Sequence, residues 1–260
     1  PIQSKYAKIL DNYCAQEVIF FSYSSKSSLA KDCVYLLNFF PQNELSQLML
    51  YLNDGAKVAL LYPENEYGYL INSLIDDIIF ESPAILVNRS SYKDDLTNVR
   101  ESIKELGKYE LRKYELNRQK QILSSKKDEK SKKRLKKLER FKTTSDYDFT
   151  HILIADYGLN LLQVAPLLPY YDIDPNIVQF MGTGVIDDKT FFYEPSLQGA
   201  IFPGIPETRR INIINNYMDI YDDEFLRIST LPYDLIGLIN FIYSKTVSYT
   251  HLRAHETILD

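Results

Sequence analysis

An α/β fold built on a mainly parallel sheet is predicted by two patterns in the 260-residue sequence. Short apolar runs bounded by polar or turn residues read as buried strands, and amphipathic segments at helical spacing alternate with them. A third pattern, a charge-rich stretch over residues 107–144, predicts a helical insertion.

Taken in order, a first helix over residues 4–12 leads into a strand over 18–22, and further strands are expected at 57–62, 84–88, 151–155, 178–181 and 199–202. Helices are expected at 44–52, 68–79, 96–106, 159–168, 210–221 and 233–243. Leu70, Ile71, Leu74, Ile75 and Ile78 recur at helical spacing, which predicts one buried stripe against a sheet face. Leu96, Val99, Ile103 and Leu106 repeat the pattern behind Asp94 and Asp95, which suit a cap and first turn. In the insertion, apolar residues thin to Leu111, Tyr114, Ile122, Leu135, Leu138 and Phe141, so a projecting helical hairpin, solvated on most sides, is expected. Such a charged excursion has a plain reading as solvated surface and a sharper one as a basic docking surface for a membrane or partner.

The formal net charge of −5 hides an asymmetry. Residues 104–142 hold 16 Lys/Arg against 6 Asp/Glu, which leaves 14 basic and 29 acidic residues elsewhere. An acidic body argues against nucleic acid as the main ligand, since phosphate affinity comes from clustered cations on the binding face. The apolar runs fall far short of the roughly 20 residues of a membrane span. Residues 247–260 are read as an artefact, because Val247–Thr257 matches the translation of a transposase sequencing adapter, and this leaves His151 as the one native histidine.

Enzymatic constellations are thin. One histidine and two dispersed cysteines supply neither a metal cluster nor a Cys/His nucleophile pair. Gly182-Thr-Gly184 lacks the third glycine of a dinucleotide fingerprint and the Lys-Ser/Thr of a P-loop. Asp187-Asp188 and Asp222-Asp223 read as loop and cap residues. No cofactor, no metal and no enzymatic activity are expected. Cys14 and Cys33 are read as two separate buried thiols, although an oxidising compartment would allow them to pair.

In an open parallel sheet, ligands sit beyond the carboxyl ends of the strands. There the sequence places Ser22-Tyr-Ser-Ser-Lys-Ser-Ser28, then Tyr67-Gly68, Asp156-Tyr157-Gly158 and Gly182-Thr183-Gly184. The hydroxyls and amides of Ser22, Ser24, Ser25 and Lys26 suit a carboxylate or other small anion. The plain readings are a solvated serine turn, tyrosines present by composition in a chain holding 21 of them, and His151 as a core residue.

In this order the serine loop, a polar crossover near 39–43, Tyr67-Gly68, Asp156-Tyr157 and Phe180-Met-Gly182 resemble the type I periplasmic ligand-binding proteins of the Leu/Ile/Val type, over residues 17–243. The basic insertion, Pro166-Leu-Leu-Pro-Tyr-Tyr-Asp-Ile-Asp174 and Gly182-Thr-Gly-Val-Ile-Asp-Asp188 are similar to a subgroup described as penicillin-binding-protein activators. The resemblance implies two Rossmann-like lobes, with 1–39 and 203–246 in a first lobe truncated at its N-terminus and 40–202 in a second. It also implies a non-enzymatic periplasmic receptor, free or lipid-anchored, that closes on a small ligand such as an amino acid and serves an ABC permease. The subgroup implies instead a ligand-free regulator of a cell-wall synthase. By the same resemblance Ser22, Ser24, Ser25 and Lys26 hold a ligand carboxylate, Tyr67 and Tyr157 face the ligand, and Thr183 occupies the place of an acidic residue that pairs its ammonium. Losing that partner costs a zwitterion a charge-assisted hydrogen bond of about 1.5–3 kcal/mol unless another group replaces it.

Overall fold

The run Lys57-Val-Ala-Leu-Leu-Tyr-Pro63 carries apolar residues on both sides of its alternation, as a strand covered on two faces must. In the computed structural model, which describes residues 14, 18–25, 27–126, 128–223 and 225–245, it is an inner strand of a four-stranded sheet. The described elements are, in chain order, β1 (Phe20–Ser22), β2 (Val34–Leu36), α1 (Pro41–Leu50), β3 (Lys57–Pro63), α2 (Glu66–Phe80), β4 (Ile85–Tyr92) and α3 (Val99–Leu106). There follow α4 (Tyr109–Ser125), α5 (Glu129–Leu138), β5 (His151–Ile154), α6 (Gly158–Val164), α7 (Leu167–Tyr170), β6 (Gln179–Met181), α8 (Lys189–Phe192), α9 (Glu207–Tyr221) and α10 (Thr230–Lys245). Two units divide the chain: Pro41–Gly204 is one, and the described residues of Pro1–Phe40 and Ile205–Asp260 form the other.

In the Pro41–Gly204 unit all pairings are parallel and the strand order is β4-β3-β5-β6. Alternate residues feed two cores, as a period of two dictates. Ala59, Leu61, Ile152, Ile154 and Phe180 meet Val99, Ile103, Leu161, Val164 and Leu168 of α3, α6 and α7 on one face. Val58, Leu60, Leu153 and Met181 meet Leu45, Met49, Ile71 and Ile75 of α1 and α2 on the other. Each wholly buried isoleucine of α2 contributes roughly 1.5–3 kcal/mol relative to exposure. Of the expected α2 stripe, Ile71, Ile75 and Ile78 are buried and Leu74 packs at the margin, whereas Leu70 lies outside it.

Several expectations are corrected. The strand expected at 199–202 is a single bridge, Met181 to Ile201: Gly199 adopts a left-handed φ of 80° and Pro203 lacks an N–H, so the ladder cannot extend. The helix expected at 159–168 breaks at Pro166, which caps α7. Leu96 takes a left-handed φ of 61°, so α3 begins at Val99. Asp95 then caps the Thr97 turn at 3.1 Å, and Asp94 accepts from Asn65 Nδ2 at 2.6 Å, so neither caps α3. The helix expected at 4–12 lies outside the described residues.

The charge-rich stretch does form a hairpin of α4 and α5, but its root is anchored and not solvated. Arg112 is 2% exposed. It donates to the carbonyls of Gly107 (2.6 Å), Thr144 (2.9 Å), Asp172 (3.1 Å) and Tyr171 (3.3 Å) and to Thr143 Oγ1 (2.9 Å), with its guanidinium 4.6 Å over the Tyr147 ring. Desolvation lowers its pKa from the ordinary value, and this dense acceptor set is what makes burial of the cation tolerable.

In the other unit β1 and β2 pair in parallel, Phe20 opposite Val34, and β2 was too short for its periodicity to be read. Cys14 and Cys33 are not separate thiols: they form a disulfide with Cα atoms 5.4 Å apart, inside a small cluster with Phe20, Val34 and Leu36. The Arg227 guanidinium lies 3.6 Å over the Phe39 ring. Among the described residues no helix is long and apolar enough to cross a membrane.

Candidate functional site

From β3 the chain passes to β4 on one side and then to β5 on the other, so the topological switch point of the sheet lies at the carboxyl ends of β3 and β5, where ligands of open parallel sheets bind. Side chains from all four strand ends of the Pro41–Gly204 unit gather there. Asn65 caps α2 by accepting from Gly68 N at 2.9 Å, which places Tyr67 in the first turn of the helix. A Cβ at Gly68 would stand 1.9 Å from the Pro63 carbonyl oxygen, so only glycine lets α2 start this close to β3. Gly158, at a left-handed φ of 59°, turns the chain from β5 into α6 just after Tyr157.

The structure brings together three of the sequence-predicted residues. The hydroxyls of Tyr67 and Thr183 are 2.5 Å apart, and the Tyr67 and Tyr157 rings meet edge to face at 5.2 Å. Tyr157 is 49% exposed and Thr183 only 1%. Three further residues join them. Asp156, 1% exposed, accepts from Tyr92 Oη at 2.5 Å and from Tyr157 N at 2.8 Å. Glu44, in the first turn of α1, accepts from Gly184 N at 3.1 Å.

Burial sets the electrostatics. It pushes the Tyr67 phenol well above its ordinary range, with the charges of Glu44 and Asp156 adding and the Thr183 hydrogen bond opposing. Burial likewise raises Tyr92, helped by the Asp156 charge. Asp156 is raised by burial against the hydrogen bonds from Tyr92 and Tyr157. The result is a cluster of phenol hydroxyls, with Tyr92 wholly buried on Asp156 and Tyr157 half exposed, able to donate and accept hydrogen bonds. Asp188 caps α8 through Thr190 N at 2.8 Å, and Asp222 ends α9 with a left-handed φ of 51°.

The serine loop lies in the other unit. Ser22 ends β1 and is buried, its Oγ accepting from Ser24 N at 3.3 Å, while Ser25 is exposed. Asn38 Nδ2 donates to the Tyr23 carbonyl at 2.8 Å and steadies the turn. Lys26 lies outside the described residues. Sequence reasoning missed Glu44 and Tyr92 as site residues. Tyr92 ends β4, which was expected to stop at 88, yet the alternating exposure from Ile85 runs on through Asn88-Arg89-Ser90 and the strand continues to Tyr92.

No protein-family model and no curated protein matches the sequence. Solved structures do match. An ABC transporter substrate-binding protein from Desulfitobacterium hafniense in complex with Leu aligns with 89% of this chain and 58% of its own, at 14% identity and a TM-score of 0.53. A putative branched-chain amino acid ABC transporter protein from Rhodospirillum rubrum aligns with 81% of this chain and 51% of its own, at 10% identity and a TM-score of 0.53. A fatty acid ABC transporter substrate-binding protein from Thermomonospora curvata aligns with 85% and 50%, at 9% identity and a TM-score of 0.51. The chain thus spans half to three-fifths of the length of these neighbours, each described as an ABC transporter protein. Over the part that it spans, the chain has the fold of the type I periplasmic binding proteins.

Proposed function

We propose that this chain is the ligand-binding part of a periplasmic receptor that hands a small solute, such as an amino acid, to an ABC permease. One observation carries this reading: Tyr67, Tyr92, Asp156, Tyr157 and Thr183 converge at the switch point of the parallel sheet, in a fold whose solved neighbours include a leucine complex. In this reading residues 40–202 are one lobe, and 1–39 with 203–246 are part of another. Tyr67 and Tyr157 offer ring faces to the apolar part of the ligand, and Ser22, Ser24, Ser25 and Lys26 hold its carboxylate. Glu44, bonded to the amide of Gly184, takes the place of the carboxylate absent at Thr183. The disulfide suits an oxidising compartment such as the periplasm. Titration calorimetry with aliphatic amino acids tests the assignment. Glu44→Gln is expected to weaken binding roughly 10- to 100-fold, the equivalent of one charge-assisted hydrogen bond, and Tyr67→Ala to abolish it. Unchanged affinity in both variants would refute the site.

A second reading, a ligand-free regulator of a cell-wall synthase, is favoured by the Tyr67–Thr183 pair, since the two hydroxyls already satisfy one another. Direct binding of the folded chain to such a synthase, with silence toward small solutes, would support it.

A further inference from the structure

We propose that the outward face of α5 is a docking surface for an anionic phospholipid layer. Residues 126–142 hold ten Lys/Arg against three Asp/Glu. α5 turns Ser131, Leu135 and Leu138 inward, and these are its least exposed residues. At 100° per residue, Lys133, Lys136 and Lys137 fall on the opposite side with Lys130 at its edge, and all four are exposed. The acidic residues of this helix are engaged elsewhere: Asp128 caps it through Ser131 N at 2.9 Å, and Glu129 pairs with Lys132 at 3.1 Å.

Three features select lipid as the occupant. The face is made of lysines, whose ammonium groups act as point charges and demand no fork geometry from their partner, which suits a fluid layer of headgroups. It lacks the buried aromatic or aliphatic anchor around which protein interfaces are built: no α5 residue is among the exposed large apolar side chains. Finally, outside residues 126–142 the chain carries 32 acidic against 20 basic residues, so an anionic surface repels the body and attracts this face, which orients the molecule. The anchorage of α4 by Arg112 makes the mount firm.

The test is co-sedimentation of the full chain with vesicles of phosphatidylcholine containing about one-third phosphatidylglycerol, against pure phosphatidylcholine. Partition onto the anionic vesicles is expected to be at least about tenfold stronger and to collapse at about 0.5 M salt. The Lys130→Glu/Lys133→Glu/Lys137→Glu variant, checked by circular dichroism, is expected to lose it. Equal binding to both vesicle types, salt-insensitive binding, or full binding by the folded triple variant overturns the proposal. So does absence of binding by the wild-type chain, which would leave an acidic protein as the partner of this face. None of these outcomes depends on whether a solute binds at the strand ends.

Discussion

Tyr67 and Thr183 show what a buried hydroxyl pair implies. With Thr183 almost wholly out of water, Tyr67→Phe leaves its Oγ1 without a partner and is expected to cost about 1–3 kcal/mol in urea denaturation. Thr183→Val added to Tyr67→Phe should recover part of that loss, because removing both groups leaves nothing unpaired. Asp156 and His151 bring opposite pH dependences. Burial raises the folded pKa of Asp156, so the native state holds its proton more tightly than the unfolded chain does. Its contribution to stability therefore falls as pH rises from about 4, the ordinary aspartate value, through the raised one. Burial lowers the folded pKa of His151, whose Nδ1 lies 2.7 Å from Thr150 Oγ1, so its contribution is lost as pH falls from about 6.5, the ordinary histidine value, through the lowered one. Asp156→Asn should remove the first slope and leave the second, read from chemical denaturation across pH. At this scale the meeting of Tyr67, Tyr157 and Thr183 was legible, because all three follow the carboxyl ends of parallel strands. Glu44 was not, since nothing local links it to Gly184, 140 residues away.

At the scale of elements, periodicity placed the strands and helices of the four-stranded sheet to within a few residues, because cores on both faces enforce it. It misread segments whose ends are set by single residues, namely Leu96, Pro166 and Gly199. The α4–α5 hairpin was legible as charged helices, but its anchorage was not: a buried arginine looks in sequence like its exposed neighbours. Arg112→Ala strips one donor set from four carbonyls and a hydroxyl, and on the order of 3 kcal/mol of local stability is expected to go with it. Hydrogen exchange should show protection lost from α4 and α5 while the sheet keeps its own; uniform loss, or none, would contradict the hairpin's dependence on this residue. Gly68→Ala should be worse for the site than for the helix, since the 1.9 Å clash with Pro63 displaces the first turn and Tyr67 with it. Its signature is weaker ligand binding at nearly unchanged helix content.

For the whole molecule, the alternation of strands and helices announced a parallel α/β fold, whereas the order β4-β3-β5-β6, and with it the switch point of the sheet, emerged only from the structure. The disulfide was illegible for a related reason: pairing depends on where β1 and β2 bring the chain, not on spacing. Closing a loop with a separation of 19 residues, it is expected to contribute roughly 3 kcal/mol, lost on reduction and in Cys33→Ser. The central claim is that the strand-end residues of this chain bind a small solute, and thermal denaturation with a panel of amino acids tests it most directly. A bound ligand at a hundredfold excess over its Kd adds about 2.7 kcal/mol, so an aliphatic amino acid should raise the Tm of the wild-type chain and leave that of Tyr67→Ala unmoved. A cooperatively folding wild-type chain whose Tm no member of the panel shifts would contradict it.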